Sequence, residues 1–363
     1  MTTARRVASR RDLRRFYAAG ARVYRGNPLH RSTEDDVMRL LVERKSVYFR
    51  HAAIESYLLE EGREVVGRFS LIHDEKLPAY VQVAFFEALP GLHDVAGVIR
   101  AEAWRRFRQR PKIVVGLNGH LNYGAGLLAD CFHAPPLFGY PYTPDYYLDY
   151  FASFDRKPMV SFRFEAGSFY RLRELMAASF KPRDVVVRQM NRKRFAEDVE
   201  IYTFLNNACF GEHPYWSDRA TAEDFELFHP FRFLIKDENF LVAEHNGQPI
   251  GFLLWYPDFN ELVHSDRELG VHDVLRYHAR NPVRSVRLTE IAVLPQHRRR
   301  GADAAMILRM IESVEKGGYD YCEGGFIFEE NLGSMALTLS YMRRALGRQP
   351  EPYRRFCVFE GSL

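Results

Sequence analysis

The chain has 363 residues, 47% of them hydrophobic, which is enough for a full core and fits two domains of ordinary size. Its 51 Lys and Arg against 47 Asp and Glu leave a formal charge of +4, which suits an anionic small ligand and gives no reason to expect nucleic acid. No stretch approaches the ~20 uncharged apolar residues of a bilayer span, and MTTARRVASRRDLRRFY lacks the apolar run of a secretory signal. A cytoplasmic protein with no stable membrane insertion is expected. The four cysteines, Cys131, Cys209, Cys322 and Cys357, make no CxxC pair or zinc-like spacing, so free thiols and no metal are expected.

Arg5, Arg6, Arg10, Arg11, Arg14 and Arg15 read either as a basic arm for an acidic partner or membrane surface, or as a frayed tail running into the exposed face of a first helix; the second is the commoner case. Apolar spacing predicts helices over Leu13–Tyr24 and Val37–Val47. Strands follow over Ala53–Leu59 and Val65–Ile72, joined at Glu61-Gly62-Arg63. A strand at Tyr80–Phe86, a helix over Val95–Arg108 and a short strand at Lys112–Leu117 lead into the Gly- and Asn-rich segment Gly116–Gly126.

The second half repeats this plan. A strand at Val185–Gln189 and helices at Glu197–Ala208 and Ala222–Phe228 precede strands at Phe240–Glu244 and Ile250–Tyr256. The segments EEGREVVGRFSL (60–71) and EHNGQPIGFLLW (244–255) share a Gly-containing turn followed by an aliphatic residue and Gly, the mark of a duplication. The expected division is 1–180 and 181–363. Val286–Val293 then reads as a strand, broken by Pro295, and a helix opens at Gln296–Ala302 and runs to about Lys316. A strand at Tyr319–Phe328, a helix over Leu332–Leu346 and a strand at Tyr353–Glu360 complete a β-α-β-α-β unit. Free N–H groups at a helix start favour anions, and a Gly there lets backbone approach phosphate, so a pyrophosphate fits the basic turn.

Ile291-Ala292-Val293-Leu294-Pro295-Gln296-His297-Arg298-Arg299-Arg300-Gly301-Ala302 resembles motif A of the GNAT superfamily of N-acyltransferases, an aliphatic strand, Pro, then Arg-x-x-Gly-x-Gly/Ala. Asp303 departs from that pattern at its last position. Arg-x-x-Gly-aliphatic-Asp is similar to the turn of a subgroup of large two-domain bacterial GNAT-like proteins. Leu117–Leu128, Ala134-Pro135-Pro136 and the Tyr- and Pro-rich Tyr140–Tyr147 also resemble that subgroup. The resemblance implies an α/β fold of tandem GNAT-like domains, each a mixed, mostly antiparallel sheet flanked by helices, with the N-terminal one degenerate and shaping the acceptor pocket.

The resemblance further implies that acetyl-CoA or a longer acyl-CoA is the donor. Ile291 and Val293 would flank its pantetheine arm, Arg298, Arg299, Arg300, Gly301 and Ala302 would hold its pyrophosphate, and Asn331 would contact its arm. Glu290 is a candidate general base for a small-molecule amine or amino-acid-like acceptor, or a strand carboxylate paired with Arg287 or Arg284. The position at which relatives carry a thiolate acid is Thr338, with Tyr341 the nearest tyrosine. Asn118, Asn122 and Tyr123 are candidate acceptor contacts. His120, His133 and His297 could titrate as bases, with structural roles commoner. The aromatics of Tyr140–Tyr150 and His213–Trp216 could surround an acyl chain, or simply pack the core. Two other readings stay open: an acyl-CoA sensor without turnover, and transfer from an aminoacyl-tRNA or acyl carrier protein. A homo-oligomer is compatible with all of them.

Overall fold

The computed structural model describes residues 1–31, 35–179, 184–263 and 267–363; the expected division at 180/181 lies outside them. The N-terminal half runs β1 (Thr2–Arg6), α1 (Arg10–Val23), α2 (Asp35–Val42), β2 (Ala52–Glu61), β3 (Glu64–Asp74), β4 (Tyr80–Ala88), α3 (Val95–Phe107), β5 (Lys112–Val115), β6 (Leu127–Leu128), α4 (Tyr147–Tyr150), β7 (Asp155–Glu165) and α5 (Ala166–Ser179). The rest runs β8 (Val186–Gln189), α6 (Phe195–Phe210), α7 (Thr221–Phe228), β9 (Phe240–His245), β10 (Gln248–Pro257), α8 (Val271–Ala279), β11 (Ser285–Val293), α9 (Ala302–Gly317), β12 (Tyr321–Phe328), α10 (Leu332–Leu346) and β13 (Arg354–Ser362).

All of the strands belong to one mixed sheet in the order β1-β2-β3-β4-β5-β13-β7-β12-β11-β10-β9-β8, with β6 added to β13. The two ends of that order mirror each other. In each half an edge strand and a hairpin pair antiparallel, and the next strand runs parallel to its successor for only four residues. These are Tyr80–Val83 beside Lys112–Val115 and Ser285–Leu288 beside Tyr321–Gly324. A positive-φ glycine, Gly116 or Gly325, follows each short parallel pairing, where a side chain would be strained. Each half therefore contains a pair of strands that separate.

The two final strands cross over. β13, last in the chain, pairs with β5 of the first half, whereas β7 pairs with β12 of the second. They pair with each other through Arg354–Glu360 and Asp155–Ser161. At this seam Arg354 and Glu323 are 2% and 1% exposed. Arg354 Nε lies 3.2 Å from Glu323 Oε1, Ser161 Oγ donates to the same oxygen at 2.6 Å, and Arg354 Nη2 donates to the Pro135 carbonyl at 2.7 Å. Burial raises the Glu323 carboxyl, opposed by Arg354 and the Ser161 hydrogen bond.

Arg10, Arg11, Arg14 and Arg15 lie on α1 as expected, but Arg5 and Arg6 are not a frayed tail. Thr2–Arg6 is an edge strand on β2, and Arg5 is ion-paired with Asp12 and Glu60 at 2.9 and 3.0 Å, while Arg6 meets Glu55. Carboxylates supplied by β2 and α1 convert a basic run into a partnered edge.

Replacing Arg354 with Ala leaves a buried carboxylate unpaired, and chemical denaturation should show a loss of roughly 3–5 kcal/mol. A loss below about 1 kcal/mol would mean that the seam does not depend on this pair.

Candidate active site

Beyond Leu288 and Gly324 no pairing joins β11 to β12, so the strands diverge. β11 keeps its other edge on β10 through Val293, with a bulge at Thr289 between the pairs Leu254–Glu290 and Trp255–Leu288. The bulge places Glu290 on the cavity wall at the point of divergence. The cavity measures about 330 Å³ and is lined by residues of both halves. Its surface is dominated by aromatic and aliphatic groups, among them Phe138, Phe164, Phe228, Phe231, Tyr256, Phe259, Phe326 and Leu337. Polar groups interrupt them, among them Asn122, Arg287, Thr289, Glu290, Asn331 and Thr338. An apolar chamber with a small set of polar groups is the usual form of an organic-ligand site.

Glu290 is held by neutral donors. Tyr202 Oη lies 3.0 and 3.1 Å from its two carboxylate oxygens, and Asn206 Nδ2 donates to Oε2 at 2.8 Å. Tyr202 and Asn206 stand one helical turn apart on the buried face of α6. Asn122 Nδ2 donates in turn to Tyr202 Oη at 2.7 Å. Burial, reinforced by the Glu290 carboxylate, raises the Tyr202 hydroxyl well above its ordinary value, so it remains a donor. Behind the ring, Arg219 is 5% exposed, lies 3.2 Å from Asp224 and stacks over Trp216 and Tyr202. The ion pairs offered by sequence went elsewhere: Arg284 bonds Asp320 at 2.5 Å, and Arg287 donates to the Phe138 carbonyl at 2.9 Å. Tyr202, Asn206 and Arg219 were missed by sequence reading. The legible signal was the polar i, i+4 series Asp198, Tyr202 and Asn206 on the helical face that also carries Val199 and Leu205.

The basic turn lies where β11 ends. After a short 3-10 turn over Pro295–His297, Arg299 and Gly301 adopt left-handed conformations with φ of 65° and 77°. No side chain caps α9 at Gly301, which leaves its first amides to a ligand or solvent. Arg298, Arg299 and Arg300 are exposed, with Arg298 Nε at 3.3 Å from the Val293 carbonyl. Ala302 is 1% exposed; it anchors the helix start in the core. Asp303 turns aside, its carboxylate accepting from Tyr341 Oη at 2.6 Å.

Of the remaining expected residues, Ile291 and Asn331 line the cavity, as do Asn122, Tyr123, Thr338 and Tyr341. Val293 sits at the end of β11 opposite Gly251. Asn331 caps α10, Oδ1 accepting from the Ser334 amide. Asn118 belongs to a different place: its Oδ1 accepts from the Phe85 amide at 3.0 Å, and it borders a smaller cavity of about 130 Å³ in the N-terminal half. His120 accepts from the Asn122 amide at Nδ1 and donates from Nε2 to the Ser217 carbonyl. Burial, then Arg219, holds it well below its ordinary value, so it is neutral and structural. His133 is exposed, and His297 lies within the basic turn, its ring 5.8 Å from that of His245. Among the described residues no group of His, Cys, Asp and Glu is placed to hold a metal ion.

A family model described as acetyltransferase (GNAT) family matches residues 200–339, the span that runs from α6 to α10 and contains Tyr202, Glu290 and the basic turn. Residues 200–339 belong to the GNAT family. Beyond this GNAT region, Protein YghO of Escherichia coli (strain K12) is 23% identical over 99% of the chain and 95% of its own length. A protein of Caulobacter vibrioides named bacterial ceramide synthase is 23% identical over 69% of each chain. Among solved structures, a tandem GNAT protein from the clavulanic acid biosynthesis pathway covers 100% of this chain and 98% of its own at a TM-score of 0.55 and 15% identity. The tandem GNAT fold therefore spans both halves.

Tyr202→Phe removes the donor shared by both Glu290 oxygens and leaves Asn122 Nδ2 without its acceptor. Thermal or denaturant unfolding should show a loss of about 1–2 kcal/mol, and an unchanged stability would mean that Tyr202 does not hold Glu290.

Proposed function

We propose that this protein is an acyl-CoA-dependent N-acyltransferase that moves a long acyl chain onto the amine of an acceptor, with at least one reactant carrying an extended apolar tail. The observation that carries the proposal is Glu290. It stands where the motif strand leaves its neighbour, on the wall of an aromatic cavity, with the uncapped start of α9 one strand-end away.

The reaction needs a neutral amine beside a thioester carbonyl and a route for its proton. The amine nitrogen forms the new C–N bond as the C–S bond breaks. The amine proton passes to Glu290, directly or through one water, and the thiolate leaves to be protonated. Tyr202 and Asn206 fix the direction of the Glu290 carboxylate without tying it into an ion pair. Arg298, Arg299 and Arg300 with the α9 amides supply the anion-binding end for the coenzyme's pyrophosphate, and Ile291 and Val293 flank its arm. Tyr341 Oη donates its hydrogen bond to Asp303, so the departing thiolate takes its proton from solvent.

Two considerations support a long-chain reactant. The cavity surface is rich in Phe, Leu and Tyr side chains, and burying an alkyl chain there gains ~0.8 kcal/mol per methylene. The relative named bacterial ceramide synthase is the second: a ceramide is a long-chain amino alcohol bearing an amide-linked acyl chain.

Calorimetry with acetyl-CoA and a long-chain acyl-CoA should give saturable binding, tighter for the longer chain. Arg298→Ala, Arg300→Ala and Gly301→Glu combined should abolish it. Glu290→Gln should keep binding and lower turnover on long-chain amines by roughly 10²–10⁴-fold. Absence of binding to either donor would sink the proposal, and retained turnover in Glu290→Gln would remove Glu290 as base.

A further inference from the structure

Helix α8 packs Val274 and Tyr277 against the core and still leaves two aliphatic side chains in solvent. It buries Asp273 and Tyr277, while Val271 and Leu275, one turn apart on the opposite side, are 78% and 64% exposed. The buried carboxylate is accounted for, since Arg267 bonds both of its oxygens at 2.5 and 2.7 Å. The exposed aliphatics are not: they face solvent in a helix that could have presented polar groups there. Phe233, 58% exposed, lies nearby, its carbonyl 2.6 Å from Nε2 of His278, which is one turn on from Leu275.

Two exposed arginines flank this ridge. Arg276 and Arg280 are exposed and pair with no carboxylate among the described residues. The Arg232 guanidinium lies over the Phe233 ring at 4.5 Å. Of the neighbouring acids, Asp273 is engaged by Arg267, Glu268 by Arg39 at 2.8 Å and Glu261 by the Arg284 and Ser285 amides, while Glu238, which acts on Tyr277 of α8, is half-buried. Apolar side chains ringed by unpaired arginines match an interface of acyl chains below anionic headgroups. The ridge also adjoins the cavity. Phe231 and Ile235, on either side of Phe233 in the chain, line it, and Tyr277 of α8 packs edge-on against the cavity residue Phe259 at 5.7 Å.

We infer that the ridge formed by Val271, Leu275 and Phe233, with Arg276 and Arg280, is a docking surface for an anionic lipid bilayer, next to the apolar cavity. It is a peripheral contact: no helix among the described residues is long and apolar enough to cross a membrane. Insertion of three side chains supplies the apolar part of the attachment, and the arginines supply a salt-sensitive part. The surface stands independently of the acyl-transfer reading, although a bilayer is where long-chain amines reside.

The full-length protein is sedimented with vesicles of phosphatidylcholine alone and of phosphatidylcholine mixed with phosphatidylglycerol. Binding is expected to the mixed vesicles, weaker to the neutral ones, and falling as salt rises. Phe233→Ser, Val271→Ser and Leu275→Ser together should lower partitioning at least ~10-fold. Arg276→Gln and Arg280→Gln should each lower it about fivefold, on anionic vesicles only. In a separate variant, Leu275→Trp, the added emission should shift to the blue on mixing with anionic vesicles. The triple variant should retain wild-type turnover on a water-soluble amine and donor, which separates failure of docking from failure of the acyl-transfer reading. The inference is overturned if the wild type remains in the supernatant with both vesicle types, or if the triple variant sediments like the wild type. It is equally overturned if the ridge instead drives a concentration-dependent dimer that the triple variant abolishes, which would assign the surface to a second copy of the chain.

Discussion

The antiparallel pairing of β7 with β13 is the contact on which the molecule's two halves depend. Each strand lies in the sheet of the half to which it does not belong by chain order, so neither sheet end is complete without residues from the other end of the sequence. The Glu323–Arg354 pair sits at this seam, almost fully removed from water, and is hydrogen-bonded further by Ser161 and the Pro135 carbonyl. A buried pair of this kind adds little over well-packed hydrophobic residues. Its value is positional: only the registered pairing of β12, β7 and β13 brings carboxylate, hydroxyl and guanidinium together, and any slip strands a charge in the core.

The cavity is a consequence of the same seam. Phe162 and Phe164 of β7 join Gly324–Phe328 of β12 in its wall, and the divergence of β11 from β12 opens the space they face. The N-terminal half contributes Asn122, Tyr123 and Phe138. A similar divergence of β4 from β5 in that half has a different outcome. There the Asn118 side chain answers the Phe85 amide, and the adjoining space shrinks to about 130 Å³. One divergence thus leaves a site with room for a chain, and the other is partly filled from within.

Within the larger site, the polar groups around Glu290 form one chain of hydrogen bonds. Tyr202 and Asn206 aim Glu290, and Asn122 aims Tyr202, so orientation passes from the first half to the second through two hydrogen bonds. Neutral donors achieve this without setting a permanent cation against the carboxylate, while Arg219 stays one ring behind, bound to Asp224.

Most helices and hairpins could be read from periodicity, because each buries a face whose spacing is local: Leu332–Leu346 was expected and found with the same bounds. The Pro-Gln-His-Arg-Arg-Arg-Gly turn was equally legible, since the helix start it precedes follows from chain-neighbour chemistry. β7 was not read, because Met159, Val160, Ser161 and Phe162 are all buried and show no alternation, and Pro158 and the charged residues at both ends disguise it. β1 was read as a tail because its arginines find their carboxylates some fifty residues away. By itself the sequence determined the repeat, the strand-turn-helix with its basic turn, and Glu290 as a carboxylate on the motif strand. Only the tertiary structure decided the exchange of β7 and β13, the neutral partners of Glu290, the removal of Asn118 from the larger cavity and the outward face of α8. These rest on contacts between residues far apart in the chain, whose pairing is set by which surfaces bury together rather than by any local spacing.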